Sequence, residues 1–181
     1  MKKILSFTMA LVMVCLSAFV FVACGGDDDY TTNEPTPIPT GYKKYENSDI
    51  YFGYPSSWTE TTESGVTVLM GTQNTNNVTV ASEKKTNLYD DMDIAKYNEV
   101  IKPQLEEQGL TVSNVSIEKV TNKTGVKIIK IGVDVSIYGI SMHQTQFILS
   151  TKKTTYCVTV TEAVSDPTLV ENVFETLNFS K

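Results

Sequence analysis

Arginine is absent: all fifteen basic residues are lysine. A chain without a guanidinium fork has no bidentate grip on phosphate or carboxylate. Set against twenty-one acidic residues, with a net charge of −6 and a pI near 4.8, this argues against a nucleic-acid partner. Histidine occurs once, as His143, and cysteine three times, as Cys15, Cys24 and Cys157. Cys15 lies inside an apolar leader and Cys24 at its end, which leaves Cys157 alone in the body of the chain and rules out an internal disulfide framework. One histidine and one internal cysteine do not make a closed zinc site. Neither Gly-x-Ser-x-Gly nor Gly-x-x-x-x-Gly-Lys occurs, so the serine-hydrolase elbow and the phosphate-binding loop are both missing. The chain is therefore expected to carry no catalytic residues, no metal and no cofactor.

What is present begins with Lys2 and Lys3, an apolar run from Ile4 to Val22, and the small residue Ala23 before Cys24. These are the n-region, the h-region and the cut site of a secretion signal. The run is long enough to span a bilayer, but Gly25, Gly26 and the acidic Asp27, Asp28 and Asp29 follow at once. The segment resembles the lipobox of bacterial lipoproteins, which implies cleavage before Cys24 and lipidation, with palmitate among the chains, of the new N-terminus. More than one acyl chain gives stable anchoring. Loss of residues 1–23 leaves thirteen lysines against twenty-one acidic residues, a net −8.

Residues 24–44 form the lipidated cysteine and an acidic, Thr/Pro-rich linker with little to bury, expected to be an extended spacer. The acidic run just after Cys24 also resembles the surface-export tag of Bacteroidetes-type lipoproteins, which implies an outer-membrane or cell-surface location. Asp27, Asp28 and Asp29 read as solvated spacer in preference to metal ligands.

Residues 45–181 form one globular domain. From Val126 to Thr161 the pattern predicts three consecutive strands. Ile129, Ile131, Val133, Val135 and Ile137 alternate with polar or small residues, Tyr138-Gly139 turns the chain, Ile140 to Ser150 returns, and Thr155 to Thr161 follows a turn at Lys152-Lys153. Pairing about that second turn places Phe147 or Gln146 opposite Cys157. Shorter strands are predicted at Asp49–Tyr54, Val66–Met70, Val78–Ser82 and Val112–Val120. Ile94, Tyr97, Ile101 and Leu105 fall at helical spacing, with Asp90, Asp91 and Asp93 as capping carboxylates and a kink or break expected at Pro103. Ser165-Asp166-Pro167 starts a last helix carrying Leu169, Val173 and Leu177 inward. The class is α+β: an antiparallel sheet of about six or seven strands flanked by helices.

Phe52-Gly53-Tyr54-Pro55-Ser56-Ser57-Trp58, the central helix, the three-strand meander with Tyr156 and the closing Val173-Phe174-Glu175-Thr176-Leu177-Asn178-Phe179 together resemble the PsbP-like family. The resemblance implies an α/β/α sandwich and a role in binding or assembling other proteins, with no shared enzymatic site to carry over.

Three functions are therefore in view. The first is a membrane-anchored, extracytoplasmic, non-enzymatic module for a protein partner. The second is capture of a small extracellular ligand, a glycan or peptide, at a ring-rich edge formed by Tyr42, Tyr45, Tyr51 and Tyr54 beside Trp58. The third is a hydrolase that brings Glu60, Glu63, Glu83 and Asp134 together as an acid/base set. His143 enters chemistry only if the fold places an orienting carboxylate and a nucleophile around it.

Overall fold

The computed structural model describes residues 35–71, 75–85 and 89–180. Its centre is a seven-stranded antiparallel sheet in the order β3-β4-β5-β9-β8-β7-β6, formed by β3 (Thr59–Glu63), β4 (Val66–Met70), β5 (Asn77–Lys84), β6 (Thr111–Thr121), β7 (Lys127–Ile137), β8 (Ile140–Ser150) and β9 (Thr154–Glu162). A second sheet of three strands has β2 (Ile50–Pro55) between β1 (Tyr42–Glu46) and β10 (Asn178–Phe179). Among the described residues three helical segments, α1 (Ile94–Val100), α2 (Lys102–Glu107) and α3 (Pro167–Thr176), join these sheets in an α+β architecture.

The large sheet is apolar on both faces because its central strands carry two interleaved sets of side chains. Phe147 and Val158 are cross-strand partners on one face, where Phe52, Tyr54, Leu169 and Val173 of the small sheet and α3 cover them. Ile131, Val133 and Val135 point to the other face and meet Tyr97, Ile101 and Leu105 of α1 and α2. Burial on both sides gives near-continuous apolar strands, with the alternation seen in β7 surviving only where one face runs out of cover.

The meander forms as its sequence predicts. Tyr138 (φ 51) and Gly139 (φ 79) both take left-handed backbone, the two-residue hairpin geometry that matches strand twist. Its second turn pairs Ser150 with Thr155, so Cys157 faces Ile148, not Phe147 or Gln146. The turn is symmetric between Lys152 and Lys153, which moves the register by one residue and puts Cys157 on the helix-covered face. There it is buried, with Sγ 3.3 Å from Thr159 Oγ1.

Pro103 divides the central helix as expected. α1 ends at Val100 and α2 begins at Lys102 with the proline in its first turn, where the missing N–H costs nothing. Asp93 caps α1, its carboxylate accepting from Lys96 N at 2.8 Å, and Asp166 caps α3 through Leu169 N.

Three strands go beyond the sequence reading. β3 is Thr-Glu-Thr-Thr-Glu, exposed throughout, with no apolar residue to announce it; only the Ser64-Gly65 hairpin turn ahead of β4 signals it. β1 starts at Tyr42, inside the stretch read as linker, because Lys43 and Lys44 look like spacer while Tyr45 stacks on Phe52 at 5.0 Å. β10 has two residues and exists only as a partner for β2.

Candidate functional site

The tyrosine-rich edge closes inward. Tyr45, Tyr51 and Tyr54 are buried and Tyr42 is half-buried against the core, so the four rings pack the margin of the small sheet instead of forming a common open platform. Lys43 and Lys44 lie over the rings of Tyr54 and Tyr51. The Tyr54 hydroxyl donates to Glu60, and burial, then that carboxylate, push it up to about 12. Cys24 and Asp27–Asp29 lie outside the described residues.

The four carboxylates do not converge. Glu60 and Glu63 are on the outer strand β3, Glu83 is buried on β5, and Asp134 stands on β7 across two intervening strands. Among the described residues no group of three or more His, Cys, Asp or Glu side chains is placed to hold a metal ion. His143 and Cys157 project to opposite faces, and the residue paired with His143 on β9 is Glu162.

Asp134 nevertheless supplies the orienting carboxylate that His143 lacked in the sequence. The two are direct partners across β7 and β8, with His143 Nδ1 2.7 Å from Asp134 Oδ1. Asn114 Nδ2 donates to the other oxygen, Oδ2, at 2.7 Å. The histidine contact, then the asparagine, hold the Asp134 carboxyl below the usual range.

Asn114 reaches Asp134 because β6 bulges there. Ser113 pairs with Asp134 and Ser116 with Gly132, which leaves two residues of β6 opposite Val133 alone. Asn114 absorbs the extra residue at φ 52, a left-handed backbone that asparagine tolerates. Gly132 completes the arrangement from the middle of β7. A Cβ there would lie 2.6 Å from Ser116 Oγ and 3.7 Å from His143 Nε2, so the missing side chain lets the serine hydroxyl and the free edge of the imidazole approach one point. Ser116 Oγ rests on the Gly132 carbonyl at 3.5 Å.

A carboxylate-oriented imidazole with an exposed serine beside it can move protons at a bound hydroxyl or ester. Of these residues the sequence singled out Asp134 and His143. Asn114, Ser116 and Gly132 were missed, although a glycine inside an otherwise continuous apolar strand was a readable signal of close approach.

On the opposite face of β6, Ile117 and Lys119 line an open groove of about 490 Å³ with Met92, Asp93, Ile94 and Ala95 at the start of α1. Lys119 Nζ is turned onto the Asp90 carbonyl at 2.7 Å. Ile94, which lines this groove, is 49% exposed.

No family model and no curated protein matches the chain. A crystal structure from Bacteroides thetaiotaomicron VPI-5482 is similar over 78% of this chain at 18% identity and a TM-score of 0.53, which shows a shared fold. The match covers 50% of that protein, so this chain spans about half its length. The crystal structure of LpqN, involved in cell envelope biogenesis of Mycobacterium tuberculosis, matches 77% of this chain and 91% of its own at 16% identity and a TM-score of 0.43.

Proposed function

We propose that this is a bacterial lipoprotein, anchored in the outer membrane or at the cell surface through Cys24, whose PsbP-like domain binds a protein partner without chemistry of its own. The observation that carries this reading is the order of parts in the sequence. An apolar leader ends at Ala23-Cys24, an acidic and Thr/Pro-rich spacer follows, and the folded domain begins at Tyr42. A spacer of this composition holds a domain off a bilayer and leaves its surface accessible. Tyr138, 87% exposed at a hairpin tip, lies with Ile140 and Val164 at one end of the large sheet, and these apolar groups suit a contact with another protein.

The test is expression of the full chain in a diderm bacterium fed an alkyne-bearing palmitate analogue. The wild type is expected to carry the label and sediment with membranes, and Cys24→Ser to lose the label and appear in the soluble exported fraction. An unlabelled chain still bearing Met1 would overturn the proposal.

A second reading, hydrolysis, is favoured by the Asp134–His143 pair with Ser116 beside it. Under it, purified protein cleaves a small activated ester such as p-nitrophenyl acetate, with His143→Ala and Ser116→Ala each lowering the rate by about a hundredfold or more. Equal rates for wild type and both variants would remove this reading and leave the binding module.

A further inference from the structure

We propose that β6 accepts an extended peptide from the partner protein as an eighth strand of the large sheet, with an apolar side chain of that peptide seated in the groove beside α1. The inference rests on the reading of the protein as a binding module and names the partner's chemistry.

The two edges of the large sheet differ. β3 is five residues long and carries Glu60 and Glu63, a short, charged edge of the kind that resists pairing. β6 is eleven residues long and, among the described residues, pairs only with β7. In an antiparallel edge strand every second residue turns its N–H and C=O away from the sheet. From Ser116 to Thr121 the register with β7 is unbroken, and among the described residues no strand, helix cap or side chain takes up those outward groups. The bulge at Asn114 ends the flat edge on one side, confining an added strand to the segment from Ser116 onward.

The groove supplies what a bare edge lacks, a means of choosing a side chain. Ile117 and Lys119 lie on the face of β6 that α1 overlooks, so a strand laid against them projects alternate side chains towards Met92, Ile94 and Ala95. An edge strand beside a helix, with a side-chain pocket between them, is the geometry in which main-chain hydrogen bonds provide affinity and the pocket provides specificity. The rim carries more acid than base: Asp93 lines the groove and Asp90 and Asp91 are exposed just before it in the chain, against the ammonium of Lys119, which donates to the Asp90 carbonyl and keeps its charge. The fitting occupant is an extended segment with an aliphatic residue in the groove and lysines or arginines flanking it.

The test uses the full-length protein and the synthetic peptide Lys-Val-Lys-Val-Lys-Val-Lys, with a version in which the central valine is proline. Fluorescence anisotropy is expected to show saturable binding of the first peptide and at least about tenfold weaker binding of the second, which cannot complete the ladder. Amide exchange is expected to slow at alternate residues between Ser116 and Thr121. Ile94→Asp, on an exposed position in the first turn of α1, is expected to weaken binding about tenfold while leaving the unfolding midpoint unchanged. Equal binding of both peptides would mean charge attraction alone and would overturn the proposal, as would unchanged exchange along β6. Protection of β6 that grows with protein concentration without peptide would assign the edge to a second copy of the chain and overturn it too. If the peptide fails here while Cys24 is lipidated and a partner still cross-links to Tyr138, the binding module stands and only the β6 site falls.

Discussion

Replacing Asn122 with alanine is expected to cost about 3 kcal/mol of folding stability, a large share of what holds a domain this size together. Asn122 is 5% exposed in the turn between β6 and β7. Its Oδ1 accepts from Thr124 N at 3.1 Å, Thr124 Oγ1 at 2.7 Å and Val126 N at 3.0 Å. Its Nδ2 donates to the carbonyls of Phe174 at 2.8 Å and Leu177 at 2.6 Å. Those two carbonyls lie at the end of α3, where Phe174 O otherwise has a long 3.4 Å bond from Leu177 N and Leu177 O one of 3.1 Å from Thr124 Oγ1. One amide therefore closes a turn and caps a helix more than fifty residues away. Alanine removes the acceptor of Thr124 N and Val126 N and leaves Phe174 O and Leu177 O with one bond each, from Leu177 N and Thr124 Oγ1, and aspartate keeps the acceptor while setting charge against two carbonyls. Urea unfolding followed by the single tryptophan, Trp58, which is buried in the core, reads the change directly. Asn98→Ala, at an exposed site within α1, is the control and is expected to change stability by under about 1 kcal/mol. A similar small loss for Asn122→Ala would show that the turn does not depend on it.

Stability is expected to fall as pH rises from about 4.5 to 7, through the buried carboxyl of Glu83. Both of its oxygens are buried without a hydrogen-bond partner among the described residues, and burial pushes the group up to about 7. The register places it beside Thr155 on the face that also carries Cys157, and the hydroxyl of Tyr89, itself pushed up by burial and then by Cys157 and Glu83, faces the same region. A raised acid binds its proton more tightly when folded, so the native state is favoured while the proton stays on. That advantage is full below about 4.5 and is lost by about pH 7, where the ionised group must be buried or the chain opened. The unscreened linkage value is about 3 kcal/mol, and dielectric relaxation around the group reduces it to about 2 kcal/mol. Glu83→Met is expected to raise the free energy of unfolding in urea at pH 8 by that amount, with the midpoint moving up accordingly, and to have little effect at pH 4.5. Parallel stability profiles for wild type and variant across this range would defeat the argument.

The elements that were legible in the sequence share one property: each has its own periodic contact with the core. β7 alternates because one face meets α1 and α2; α3 shows its apolar stripe because it lies flat on the large sheet. β3, with no buried residue, and β10, with two residues, have no such imprint. The site was partly legible for a related reason. His143 and Asp134 were visible as residue types, but their pairing depends on a hairpin register that sets β8 against β7, and Asn114 joins them only through a bulge that no local composition dictates.

By itself the sequence determined the apolar leader ending at Cys24, the lysine-only basicity, the acidic start of the central helix, the helix start at Asp166, the interruption at Pro103 and the α+β class. These are local facts, fixed by residue type, period and the backbone limits of proline. Tertiary structure alone decided that the tyrosines of β1 and β2 close inward, that Glu83 is buried without a partner, that Asn122 caps a helix remote in sequence and that β6 is left as a long edge beside a groove. Each of these depends on which segments pack together across the chain. Cross-strand register and layer packing decide that, and neither is written in any one stretch of residues.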